Sequence, residues 1–287
     1  MPPKPRTHND SVVLPMLAHP LDDAHQKHLR FPCYVQPKLD GVRMMAAFAA
    51  NNRTVVSLYS RTGKPFAHLL PRFRQALLEL QLPQGTVLDG ELYLHGAGFQ
   101  TIVSMAKNTT TVATKCELQY HVYDIVLDAG YEDRLAVLSA LPRVSDKIVF
   151  VNTLTATNHA DIKRLLASFE KQGYEGIILR DRNGPYAIGK RSNTLLKLKS
   201  FQDAEFLIVG VEEAGGKDAG TAVFVCTATN GTLFRVRPHG TMAERAEMLR
   251  RGPELIRSKK KLTVRFQELT DGGVPRFPVG VAIRDYE

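Results

Sequence analysis

The pattern of apolar residues changes character near residue 201, and that change constrains the fold more than any other feature of the 287-residue chain. Beyond it, residues 204–212, 222–229, 232–236 and 262–269 are short runs rich in β-branched and aromatic side chains, which read as strands. Asn230-Gly231, between the second and third runs, supplies the positive-φ positions of a tight hairpin. One helix interrupts the series at 242–251, opened by a capping box of Thr241 and Glu244. About five short strands with one helix suit a small Greek-key barrel. Before residue 201, strands mix with amphipathic helices without a regular βαβ repeat, an α+β pattern. Leu70, Phe73, Leu77 and Leu80 recur at helical spacing up to Pro83 and Gly85, and Ile162, Leu165, Leu166 and Phe169 do so up to Gly173. A further helix is expected at 99–107, and strands at 42–50, 54–60, 87–94, 118–127, 148–151, 174–180 and 195–199, while 11–30 reads as irregular to helical. The expected division is a flexible basic tail at 1–10, an α+β domain at 11–200 and a barrel at 201–287.

Thirty-eight lysines and arginines against 29 acids leave a net charge of +9, spread along the chain. That excess suits a polyanionic partner, nucleic acid before membrane. No apolar run approaches the length of a membrane span. The opening M-P-P-K-P-R-T-H-N-D lacks the apolar core of a secretory signal, so an intracellular setting is expected: cytoplasm, nucleoid or a virus-infected cell. Cys33, Cys116 and Cys226 form no C-x-x-C pair and no even framework, and read as small buried residues.

Residues 34–43, Y-V-Q-P-K-L-D-G-V-R, concentrate the chemistry. Tyr34 and Val35 read as the end of a strand that Pro37 should stop, because proline removes a backbone donor. Lys38 is then expected on a turn that Gly41 lets bend tightly. A lysine so placed can hold phosphate as a point charge or attack phosphorus as a nucleophile. As a nucleophile it needs help, since only about one free lysine in a few thousand is neutral at pH 7.

Partners for it recur in order along the chain: K-L-D-G-V-R at 38–43, S-R-T-G-K-P-F at 60–66, D-G-E-L at 89–92, V-Y-D-I-V at 122–126, E-G-I-I-L-R at 175–180 and L-L-K-L-K at 195–199. The barrel-like segment ends in P-R-F-P-V-G-V-A-I-R-D at 275–285. This series resembles the ATP-dependent DNA ligases, in particular their minimal two-domain viral and bacterial forms. The resemblance implies a nucleotidyltransferase (adenylation) domain followed by an OB-fold domain, ATP and Mg²⁺ (or Mn²⁺) as cofactors, and nicked duplex DNA as partner to a monomer. It implies three steps: lysine takes AMP from ATP, AMP passes to a 5′-phosphate, and the 3′-hydroxyl displaces it.

By the same resemblance Lys38 is the nucleophile, with Lys197 and Lys199 on one strand face at the α-phosphate. Gln36, Asp40, Arg43, Arg61 and Glu175 belong to the nucleotide site, as do Glu91 and Tyr123, whose ring stacks on adenine. Glu91 and Glu175 are the expected metal carboxylates, with Asp89 a third candidate. Arg61 matches a position that also meets the 5′-phosphate of the nick.

The sequence departs from the family pattern at two places. The last motif reads Arg284-Asp285-Tyr286-Glu287, without the trailing Asp and cation, which leaves Arg284 as the cation for pyrophosphate. The turn at 212–220, E-E-A-G-G-K-D-A-G, is too short for the DNA-closing latch of chlorella-type viral ligases. Grip on DNA is then expected from basic surface such as Lys259, Lys260 and Lys261. The competing readings are an RNA ligase or mRNA-capping guanylyltransferase, and a catalytically silent nucleic-acid-binding OB protein; intact Lys38, Glu91, Glu175, Lys197 and Lys199 weigh against the last.

Overall fold

A computed structural model describes residues 12–52, 54–108, 117–270 and 272–284. The expected tail at 1–10, Cys116 and residues 285–287 lie outside the described residues. Contacts divide the chain into two compact units, Met1–Leu198 and Lys199–Glu287.

In chain order the first unit holds strands β1 (Leu17–Pro20), β2 (Cys33–Lys38), β3 (Val42–Phe48) and β4 (Val56–Ser60), helix α1 (Leu70–Glu79), β5 (Val87–Tyr93), α2 (Phe99–Lys107), β6 (Gln119–Ile125) and α3 (Tyr131–Ala140). It continues with β7 (Ile148–Phe150), β8 (Leu154–Ala156), α4 (His159–Lys171), β9 (Gly176–Asp181) and β10 (Arg191–Leu198). The strands form two five-stranded sheets, ordered β1-β10-β9-β2-β8 and β4-β3-β5-β6-β7. Each carries helices on its outer side: Phe73 and Leu77 of α1 and Ile102 of α2 pack with Met44, Leu88 and Tyr120, while Ile162, Leu165 and Phe169 of α4 cover Val35, Ile177 and Leu179. The inner faces meet in a third apolar layer of Met16, Met45, Val87, Val126 and Leu195. Burying side chains of this size stabilises by about 1.5–3 kcal/mol each.

Several elements differ from the sequence expectation. Part of 11–30 is the strand β1, parallel to β10, with Leu17 opposite Arg191 and Pro20 opposite Lys197. Its few residues have no periodicity of their own; a partner far along the chain makes them a strand. β2 does not stop at Pro37 but runs to Lys38, with Pro37 opposite Ile177 of β9. Its other neighbour, β8, pairs only Cys33 to Val35, so Pro37 sits where the sheet no longer asks for a second row of donors. Helix α3 escaped detection because a charged residue, Arg134, occupies one of its buried positions, held by Asp124 and by the carbonyls of Ala129 and Gly184.

The second unit comprises β11 (Gln202–Glu213), β12 (Ala222–Thr227), β13 (Leu233–Pro238), α5 (Met242–Arg257), β14 (Lys261–Phe266) and β15 (Val279–Arg284), closed into a barrel in the order β11-β12-β13-β15-β14. Alternation fills the interior with Phe206, Ile208, Phe224, Val236, Leu262 and Val264. The capping box of Thr241 and Glu244 is formed, but α5 runs on to Arg257, through Pro253. Its last turns bring Leu255 into the barrel core and Gly252 against β11, where a Cβ would stand 2.4 Å from Val211 Cγ1. The fifth strand, β15, carries the V-G-V-A-I-R end of the last motif. Cys33 and Cys226 are buried and free, one in each unit.

Candidate active site

Between the two sheets of the first unit lies a cleft of about 280 Å³. One sheet contributes Leu17 and Ala18 of β1, Gln36, Pro37 and Lys38 of β2, Ile178 and Arg180 of β9, and Arg191, Leu195 and Lys197 of β10. Arg43 of β3, Glu91 of β5, Tyr123 of β6 and Arg61 just beyond β4 come from the other. Residues as distant in sequence as 36 and 197 therefore share one wall.

Lys38 ends β2, and its Nζ pairs with Glu175 Oε2; the Glu175 side chain is only 8% exposed. Backbone fixes this meeting too, for the Glu175 amide donates to the Lys38 carbonyl at 3.1 Å. Lys197 stands in the same electrostatic field: burial pushes its ammonium toward the neutral form, and the charges of Lys38, Arg191 and Arg61 push the same way. Such a cluster of cations is stable beside polyanionic phosphate and strained without it.

Two carboxylates of D-G-E have different fates. Asp89 is 1% exposed, receives Arg43 Nε at 2.5 Å and Tyr186 Oη at 2.5 Å, and pairs with a second guanidinium nitrogen of Arg43. A break in the β5–β6 register falls between Asp89 and Gly90, so alternation alone does not decide its direction. Asp89 thus anchors Arg43, whose guanidinium also lies 5.0 Å from the centre of the Tyr123 ring. Glu91 lines the cleft and accepts from Tyr123 Oη at 3.1 Å. Burial pushes its carboxyl above the usual range, against the pull of Arg43 and Lys38.

The glycines of these motifs serve close approach. Gly41 lies at the bend between β2 and β3 without a left-handed φ, so it is close approach that requires glycine there. A Cβ on it would stand 2.3 Å from the Leu92 carbonyl oxygen and 2.7 Å from Glu91 Cγ. Gly90 is likewise pressed against β6, with 2.4 Å to the His121 carbonyl oxygen. Gly41→Ala is therefore expected to force backbone apart beside Lys38 and cost about 1–3 kcal/mol, seen as a lower melting temperature. Gly215→Ala in the barrel, with nothing within 4 Å of its Cβ, serves as the neutral comparison. Equal melting temperatures for the two variants would refute this account of Gly41.

Lys199 does not share the face of Lys197 as expected. β10 ends at Leu198, so strand alternation stops short of it, and Lys199 Nζ donates to Gln267 within the barrel unit at 2.9 Å. Asp40 is not among the cleft-lining residues; its charge acts on Tyr93, whose phenol is pushed up to about 12 mainly by burial. On the barrel, Arg284 pairs with Glu205 at 2.9 Å, and Lys259, Lys260 and Lys261 join α5 to β14, Lys259 and Lys261 being exposed. The β11–β12 connection is a short turn at 214–221.

Sequence reasoning passed over Arg180 and Arg191, which both line the cleft. Arg180 left a signal: it alternates with Ile178 on a strand that is apolar from Ile177 to Leu179. Arg191 left none, since only the β1–β10 pairing brings it to the rim, where it donates to the Ala18 carbonyl at 2.6 Å.

The family described as ATP dependent DNA ligase domain matches residues 15–199, and the DNA ligase OB-like domain matches 215–284. The chain belongs to the ATP-dependent DNA ligase family: an α+β adenylation domain followed by an OB-like barrel. It is 34% identical over 270 residues to the DNA ligase of African swine fever virus (isolate Warthog/Namibia/Wart80/1980), a match spanning 88% of this chain and 63% of the viral protein. It is 27% identical over 240 residues to the SPbeta prophage-derived DNA ligase-like protein LigB of Bacillus subtilis (strain 168), covering 79% of this chain and 81% of that one. Among solved structures, a Lig E DNA ligase superposes with a TM-score of 0.72 over 94% of this chain and 99% of its own, at 22% identity, which marks a common fold.

Proposed function

We propose that this chain seals nicks in duplex DNA, charging Lys38 with AMP from ATP and passing the AMP to the 5′-phosphate of the nick. The observation that carries this reading is Lys38 itself, held against Glu175 in a cleft lined by Lys197, Arg43, Arg61 and Arg191. In the first step the Nζ lone pair forms a bond to the α-phosphorus as the bond to pyrophosphate breaks. Glu175, which touches Nζ, would take the proton that the ammonium must shed. Lys197 and the arginines stabilise charge that develops on the phosphate oxygens. The nick's 5′-phosphate oxygen then displaces Lys38 from AMP, and the 3′-hydroxyl displaces AMP to join the strand.

Tyr123 offers the base its ring, and Gln36 and Ile178 its surroundings. Glu91 and Glu175 are the carboxylates that would hold a divalent ion, Mg²⁺ or Mn²⁺. Among the described residues no three His, Cys, Asp or Glu gather into a cage, and one or two carboxylates plus phosphate oxygens is the donor set Mg²⁺ prefers. Bound there, the ion would neutralise phosphate charge. Lys259, Lys260 and Lys261 are assigned to DNA, with Arg61, and Arg284 is the barrel cation assigned to the leaving pyrophosphate.

The test is incubation with Mg²⁺ and α-labelled ATP or GTP, followed by a nicked duplex. The expected result is label on the protein from ATP, chased to the 5′ end and lost as the strand seals. Label that stays on the protein when a 5′-phosphorylated nick is supplied would overturn the ligase reading, and label from GTP alone would point to a capping enzyme.

A further inference from the structure

In the cleft wall lies a hydrogen-bonded cage around one side chain. Gln36 is 2% exposed, and its Nε2 donates to Tyr131 Oη at 2.8 Å and Thr153 Oγ1 at 2.9 Å, with the Tyr123 carbonyl at 3.3 Å sharing one of its two protons. Its Oε1 accepts from Arg180 Nε at 2.7 Å. Arg180, 4% exposed, spends its other end on Asp124 Oδ2 at 2.6 Å and lays its guanidinium 4.4 Å from the Tyr131 ring centre. Arg180 lines the nucleotide cleft, whereas Thr153 lines a separate cavity of about 260 Å³ that shares only Gln36 and Tyr123 with it. The oxygen end of the amide is therefore the end turned toward Arg180 and the cleft, and the nitrogen end is turned away.

We propose that Arg180 is a positioning residue for base selectivity: by holding Gln36 Oε1 it fixes which edge of the carboxamide this wall can turn to the nucleotide. The inference rests on the ATP-dependent reading of the cleft. The two ends of an amide are nearly equal in shape but opposite in hydrogen-bonding sense. Adenine carries an amino donor where guanine carries a carbonyl acceptor. An oxygen facing the cleft, with a second lone pair to offer, suits the first and repels the second. Most of the cage would tolerate a flip. The hydroxyls of Tyr131 and Thr153 donate as readily as they accept, so either end of the amide satisfies them. A guanidinium only donates. Arg180 is thus the partner that forbids the flip, aided by the longer contact to the Tyr123 carbonyl.

The fold does not depend on this contact alone. With Arg180 replaced, Asp124 keeps Arg134, through Nε at 2.8 Å and Nη2 at 3.2 Å, and the Ile125 amide at 2.8 Å. The experiment compares the efficiency of covalent labelling by ATP and by GTP in wild type, Arg180→Met and Arg180→Lys. In wild type ATP is strongly preferred. In Arg180→Met the ATP-to-GTP ratio falls about tenfold, the size of a freed polar contact. Arg180→Lys, whose ammonium also only donates, keeps most of the ratio. Equal losses with both nucleotides in Arg180→Met would mean a purely structural role and overturn the proposal. So would a lysine variant indistinguishable from methionine, or a wild type that takes both nucleotides alike. A wild type labelled by neither nucleotide brings down the ligase reading and this inference with it.

Discussion

Lys38→Ala is expected to abolish covalent labelling by ATP, by more than about a thousandfold, because alanine has no atom that can attack phosphorus. Lys38→Arg should not rescue it, since a guanidinium stays protonated in proteins and has no free lone pair. Nicked-duplex binding should be largely retained, because the barrel and the remaining cations are untouched. Sealing of a nick that already carries 5′-AMP should also be retained, since on the proposed mechanism Lys38 is not the attacking group in that step. Removing Lys38 takes from Glu175 the ammonium it touches, so melting temperatures must accompany the kinetics. The decisive comparison is labelling against pre-adenylylated sealing in the same preparation. Labelling that survives in a folded Lys38→Ala protein places the nucleophile elsewhere.

Asp124→Ala produces the largest loss of stability we expect. Asp124 is 0% exposed and binds two buried guanidinium groups, Arg134 at 2.8 Å and Arg180 at 2.6 Å. Deleting it strips both buried cations of the carboxylate they touch, at about 3–5 kcal/mol, a large part of the stability of an ordinary domain. The melting temperature should fall by roughly 10 °C or more. The pH dependence has a definite sign. Burial pushes the Asp124 carboxyl up, but Arg180 and Arg134 outweigh it and hold the group below the ordinary carboxylate value. A folded-state pKa below the unfolded one contributes stability that is fully present above the unfolded value, about 3.9, and is lost as pH falls through the folded one. The gap between wild type and Asp124→Asn should therefore be constant from pH 5 to 7 and narrow in stronger acid. Melting curves from pH 3 to 7 test this, and a gap that widens on acidification refutes it.

Much of this protein is written in stretches short enough to read. Leu70 to Leu80 and Ile162 to Phe169 become α1 and α4, Asn230-Gly231 turns a hairpin, and Thr241 with Glu244 opens α5, because each depends on neighbours within a few residues. The ordered motifs around Lys38, Glu91, Glu175 and Lys197 are legible for a related reason: their chemistry needs particular residue types at fixed spacing.

What tertiary structure alone decided is whatever depends on a partner far along the chain. β1 is a strand only because β10 lies beside it, and that pairing delivers Arg191 to the cleft. Asp89 looks like a metal ligand in sequence, yet Arg43 and Tyr186 occupy its oxygens. Lys199 looks like the twin of Lys197, yet the strand ends one residue too early for alternation to hold. Arg134 and Arg180 resemble surface cations until Asp124 is found between them, 10 and 56 residues away in sequence. A buried charge is stable only beside its counter-charge, and no local pattern of residues records where folding will bring that partner.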